Sequence, residues 1–90
     1  MITWDENKRQ RNIREHGLDF AGCDAAFDGP VITEEDARLH YGEQRINLLG
    51  FLNGIVVHLT YTEPGDDLHI ISLRKATTHE IKRFAKELSR

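Results

Sequence analysis

The dipeptide Asn53-Gly54 separates two runs of alternating residues, Arg45–Leu52 and Ile55–Thr62. Asn-Gly is the strongest short signal for a two-residue hairpin loop, because both loop positions take positive φ and these two residues tolerate it best. A loop of that length fixes the register. Leu52 faces Ile55, Gly50 faces Val57, Leu48 faces Leu59 and Ile46 faces Tyr61. These residues share one side of the hairpin, and that side is almost wholly apolar, as a core face must be. The opposite side carries Arg45, Asn47, Leu49, Phe51, Val56, His58, Thr60 and Thr62. Such a mixed face suits partial cover or ligand binding.

The rest of the chain is arranged around this hairpin. Glu63-Pro64-Gly65-Asp66 reads as a second turn, with Pro and Gly at the favoured central positions. A four-residue loop there sets Tyr61 opposite Leu68 and Leu59 opposite Ile70. His69, Ile71 and Leu73 then join the mixed face, His58 lies opposite Ile71 as a half-buried sheet histidine, and Ser72 and Arg74 fall on the core side. A final helix over residues 78–89 presents Ile81, Phe84, Ala85 and Leu88 on one packing face, with Lys82, Arg83, Lys86 and Arg90 on the remainder. At the other end, Thr3 and Glu6 have capping-box spacing for a mostly polar helix over 4–16, and Gly17 sits where a helix ends. Phe20, Cys23, Ala26 and Phe27 give an apolar face to a second helix over 19–27. Val31 to Thr33 reads as a short strand and residues 34–42 as a polar loop. The expectation is a single α+β domain over residues 1–90: two N-terminal helices, a small antiparallel sheet of three to four strands and a C-terminal helix.

Hydrophobic residues at 39% and charged residues at 30% exclude a chain disordered by composition. No apolar run reaches membrane-spanning length and the N-terminus lacks a signal-peptide core, so a cytoplasmic protein is expected. A lone Cys23 permits no intrachain disulfide, and with five scattered His residues it gives no zinc spacing, so neither metal nor cofactor is expected. The net charge of −3 conceals a split: residues 17–67 carry two Arg against ten Asp and Glu, whereas residues 73–90 carry six Lys and Arg against two Glu. The basic end falls where the strand through Ile70–Leu73 runs into Arg74-Lys75 and then a helix start. Two cations and the positive end of a helix dipole in one small volume favour an anion such as phosphate.

Trp4-Asp5, Lys8, Asn12, His16-Gly17, Phe20, Ala26-Phe27-Asp28, His40-Tyr41-Gly42-Glu43-Gln44-Arg45, Tyr61-Thr62-Glu63, Ile70-Ile71-Ser72-Leu73-Arg74-Lys75-Ala76 and Glu80 occur in an order that resembles the BrnT-type toxins. That resemblance implies a fold similar to RelE-type ribonucleases and the toxin half of a type II toxin–antitoxin pair. It implies metal-independent RNA cleavage that arrests translation. The implied partner is a BrnA-like ribbon-helix-helix antitoxin, through which the complex binds operator DNA. The sequence departs from the family at Phe84, where Tyr is common, and at His69, where Arg is frequent.

Cleavage of that kind needs a base for the 2′-OH proton, an acid for the 5′ oxygen and cations for the phosphorane. Arg74 suits the phosphate, because its planar fork donates bidentately and stays charged; the alternative is an ion pair with a carboxylate. Lys75 is adjacent, with a side chain that alternation turns the other way. Glu80 is either a general base or, as Thr77-x-x-Glu80 suggests, a capping-box residue. Trp4, Lys8, Asn12 and His16 lie four apart on one helix stripe. Trp4 there packs on the core or stacks on a base, Lys8 contacts phosphate or solvent, and His16 is a proton shuttle or a solvated residue. Arg45 is a site residue or the partner of Glu43 or Glu63, and Tyr61 belongs to the core. Arg83 adds to the basic surface for RNA. A rival reading makes the same surface a non-catalytic module that binds protein or nucleic acid.

Overall fold

A computed structural model describes residues 1–36 and 43–90. The His40-Tyr41-Gly42 part of the family pattern, and most of the expected polar loop, lie outside the described residues. The elements in chain order are β1 (Ile2–Trp4), α1 (Glu6–His16), a 3₁₀ segment (Cys23–Asp28), β2 (Val31–Asp36), β3 (Arg45–Leu52), β4 (Ile55–Thr62), β5 (Leu68–Lys75) and α2 (Thr78–Leu88). The five strands form one sheet in the order β1-β5-β4-β3-β2. β1 runs parallel to β5, and the other neighbours are antiparallel.

The α+β class is as expected, and the details correct the expectation in four places. The first is the chain start. Asp5, not Thr3, caps α1, its carboxylate accepting from the Lys8 N–H at 3.1 Å. The helix therefore begins later, and Ile2–Trp4 is released to pair with Leu68–Ile70 as a fifth strand, making the sheet mixed. The second is the segment after α1. Asp19 is held by Arg9 and accepts from the Ala21 N–H, and Gly22 takes a left-handed conformation at φ 82°, so a continuous helix cannot form. A tight 3₁₀ turn replaces it. It still delivers Phe20, Cys23 and Ala26 to the core, each fully buried. Burial also pushes the Cys23 thiol up to about 12. The third is β2, which continues through Glu34-Glu35-Asp36 because each pairs with β3.

The fourth correction is the register of β5. The β3–β4 hairpin has the expected pairs, with Asn53 at φ 51° and Gly54 at φ 83°. The next pair differs: Tyr61 faces Ile70, Thr60 faces Ser72, Leu59 faces Leu73 and His58 faces Arg74. Ile71 is an extra residue opposite the Thr60–Tyr61 step, a β-bulge. Burial explains it. Ile70 and Leu73 both reach zero exposure in the core, and no regular strand places residues three apart on one side. Leu73 consequently joins the core, and Ser72 and Arg74 turn to the mixed face, the reverse of the expected sides.

The core thus lies on one side of the sheet, where Leu48, Val57, Leu59, Ile70 and Leu73 meet Phe20, Cys23 and Ala26. α2 lies on the other side. Of its expected packing face only Phe84 is buried, its ring edge-on to Phe51 with centroids 5.2 Å apart. Ile81 and Leu88 remain more than 40% exposed, at 42% and 43%, so a single aromatic anchor seats the helix.

Candidate active site

The bulge and α2 together shape an open groove of about 790 Å³ on the mixed face. Asn47, His58, Thr60 and Ser72 form its floor, Arg74 and Glu80 one wall, and Glu34, Glu35 and Asp36 the other. The floor is partly self-satisfied: the Thr60 hydroxyl donates to Asn47 Oδ1 at 2.8 Å.

Arg74 is held from two directions. Its Nη1 donates to Glu80 Oε1 at 2.7 Å and its Nη2 to Glu80 Oε2 at 3.0 Å, while Nη1 also reaches the Lys75 carbonyl at 3.2 Å. Glu80 is also the helix cap. Its Oε1 accepts from the Thr77 N–H at 2.8 Å, and the Thr77 hydroxyl accepts from the Glu80 N–H at 3.1 Å, completing the capping box. One carboxylate therefore joins the start of α2 to the end of β5. The Arg74 guanidinium, and secondarily the Thr77 N–H, hold that carboxyl down at about 2, with His58 adding a smaller pull. A carboxylate so weakly basic is a poor proton acceptor at neutral pH. His58 stands directly across the sheet from Arg74 and is half-buried.

The other residues singled out from the sequence are dispersed. Trp4 is in β1, packed against the core, with its indole N–H on Glu6 at 3.2 Å, so it leaves the α1 stripe. Asn12 is not solvated but 6% exposed. Its amide donates to the Leu18 and Leu73 carbonyls at 2.9 and 2.8 Å and accepts from the Leu73 N–H at 3.1 Å, extending the β5 edge as a strand would. Lys8 and His16 line a separate recess beside the groove. Lys75 is exposed and paired with Val57, on the side of the strand away from Arg74. Arg45 lies 3.6 Å from Glu43, and Arg83 bridges to Glu34 at 3.2 Å across the groove's rim. Tyr61 is buried against Phe27, and burial raises its phenol. His69, one of the family departures, hydrogen-bonds Thr3 through Nδ1 at 2.8 Å, and Phe84, the other, is the anchor of α2.

Sequence reasoning passed over His58 and Ser72 as site residues. The only signal for them was the β5 register, which a β4–β5 connection two residues longer than expected and the bulge together moved by three. Among the described residues no group of three or more His, Cys, Asp or Glu is arranged to hold a metal ion, and no helix is long and apolar enough to cross a membrane.

The family model for the ribonuclease toxin BrnT of type II toxin–antitoxin systems matches residues 4–80. The chain belongs to the BrnT toxin family. That match spans α1, the whole β2–β5 sheet and the Arg74–Glu80 junction, so the groove lies within the family region. Membership makes the chain a type II ribonuclease toxin with an antitoxin partner and an RNA target. Among curated proteins no sequence matches it.

Proposed function

We propose that the chain is a metal-independent endoribonuclease whose reaction centre is the groove at Arg74 and His58. The observation that carries this reading is the cross-strand pair itself. A permanently charged fork, held in place by Glu80, stands across the strand pair from an imidazole, a side chain that can accept and return a proton. The scissile phosphate docks on the remaining Arg74 donors. His58 takes the 2′-OH proton, the O2′–P bond forms, the P–O5′ bond breaks, and the 5′ oxygen takes a proton from solvent. Arg74 stabilises the added charge on phosphorus, and the product is a 2′,3′-cyclic phosphate. Glu80 acts through Arg74 as a positioning residue, and His16 works outside this pair.

In the cell such cleavage of cytoplasmic RNA arrests translation, and a BrnA-like ribbon-helix-helix antitoxin neutralises the toxin and carries the complex to operator DNA. The RelE-type fold similarity belongs to the same reading. The test is incubation of purified, antitoxin-free protein with RNA in EDTA. Wild type cleaves. Arg74→Lys, which keeps the charge and loses the fork, loses roughly a hundredfold or more in rate. His58→Ala loses activity along with the neutral-pH limb of the rate profile. Cleavage by Arg74→Lys and His58→Ala at the wild-type rate would overturn the assignment. Folded wild type that binds RNA and leaves it intact would instead make the chain a binding module.

A further inference from the structure

We infer that α1 and β5 form a second phosphate subsite, and that the RNA strand leaves the Arg74 groove over the β5 edge toward α1. This rests on the groove being where RNA binds. A recess of about 240 Å³ lies between α1 and β5, lined by Lys8, Arg11, Glu15, His16, Ile71 and Ser72. Ser72 also lines the Arg74 groove, so the two depressions adjoin at that residue.

Three observations give the strand its direction. The far wall of the groove, on β2, carries Glu34, Glu35 and Asp36; Arg83 offsets Glu34, and the wall as a whole still favours a polyanion less than the opposite side does. The near side, past Ser72, carries Lys8 and Arg11 against one carboxylate, Glu15. Neither cation makes an ion pair or side-chain hydrogen bond among the described residues, whereas Arg9 on the same helix is bound by both Glu6 and Asp19. The two cations facing the recess are therefore open to a ligand, as is Arg14 on another side of the helix, while Arg9 is consumed in structure. The seam between the depressions is also rigidly built, since Asn12 clamps α1 to the Leu73 backbone, next to both Ser72 and Arg74. The bulge at Ile71 brings a half-buried hydrocarbon to the same seam. A single-stranded RNA backbone fits this order: scissile phosphate on Arg74, sugar over Ser72, neighbouring phosphate on Lys8 and Arg11.

The experiment uses a fluorescein-labelled 2′-O-methyl RNA decamer, which binds without being cut, and fluorescence anisotropy at several salt concentrations. Arg11→Ala and Lys8→Ala each weaken binding. The double variant loses roughly tenfold or more, and its salt slope is shallower by about 1.4, the change expected when two cations no longer neutralise phosphates of a single strand. Arg14→Ala removes the same charge from α1 outside both depressions and leaves affinity and slope near wild type. Equal effects of Arg14→Ala and Arg11→Ala would reduce the recess to general charge and overturn the subsite, as would wild-type binding by the double variant. Arg74→Ala in the same assay reports the groove alone. A wild type that cuts no RNA refutes the reaction while the decamer still decides the track.

Discussion

Replacing Glu80 by Gln isolates the charge of the residue that ties α2 to β5. Gln occupies the same capping-box position and can still accept from the Thr77 N–H, so the helix start is retained. What is lost is the charged fork to Arg74. The carboxyl is held at about 2 against an ordinary 4.5, and a shift of that size corresponds to an upper limit of about 3 kcal/mol. Arg74 is 34% exposed and water screens part of the interaction, so about 2 kcal/mol is expected at neutral pH.

The pH dependence has a definite sign. A carboxyl depressed in the folded state contributes fully above its unfolded value, and the contribution drains away as pH falls from about 4.5 toward about 2. Urea unfolding of wild type and Glu80→Gln should therefore differ by about 2 kcal/mol at pH 7 and by under about 1 kcal/mol at pH 3. RNA cleavage by the variant should fall through misplacement of Arg74, with the limb of the pH profile assigned to His58 unmoved. A stability gap equally large at both pH values would refute the electrostatic origin. A cleavage rate equal to wild type would refute the positioning role.

Two further substitutions probe the supports of the site. Asn12→Ala leaves the Leu73 N–H and carbonyl without their side-chain partners at the sheet edge; a loss of about 2–4 kcal/mol in urea unfolding is expected, with faster amide exchange at Leu73. Phe84→Ala removes the one buried anchor of α2 at a cost of about 3 kcal/mol, the low end of the range because Phe51 beneath it is 43% exposed. In that variant the Glu80 carboxyl, followed by NMR titration, should move from about 2 toward 4.5 as the helix loosens from Arg74.

The elements legible in the sequence are those governed by local chemistry. Asn53-Gly54 determined a hairpin and its pairing, Thr77-x-x-Glu80 determined a helix start, and Gly17 closed α1 as its position suggests. Misreadings occurred where a distant partner decides between local options. Thr3 has the spacing of a cap, but its backbone pairs with β5 and its hydroxyl with His69. Asn12 looks like one polar residue in a polar helix until Leu73 is beside it. Arg74 and Glu80 were recognisable as neighbours because six residues and a turn separate them. His58 was not, because its position opposite Arg74 depends on a longer β4–β5 turn and on a bulge that only core packing requires. The fork on Glu80 merges the two roles that sequence alone left as alternatives: the cap and the partner of the cation are the same carboxylate.

The extra residue at Ile71 has a consequence for folding fidelity. A regular ladder, absorbing Ile71 into continuous pairing from Tyr61 onward, is the easier arrangement for the backbone, since no residue is left over. In that slipped register Leu73 would turn to the mixed face, Ser72 would take its place opposite Leu59 in the core, and Arg74 would move to the exposed position opposite Val57 that Lys75 now holds, on the side of the sheet away from Glu80. Trading the fully buried Leu73 for a serine hydroxyl in the core costs about 2–4 kcal/mol, more than the regained pairing returns, and the Arg74–Glu80 fork is lost as well. The residue left over at Ile71 thus keeps Leu73 in the core and Arg74 beside Glu80 at once, and replacing Ser72 by leucine would remove most of the penalty on the wrong strand alignment.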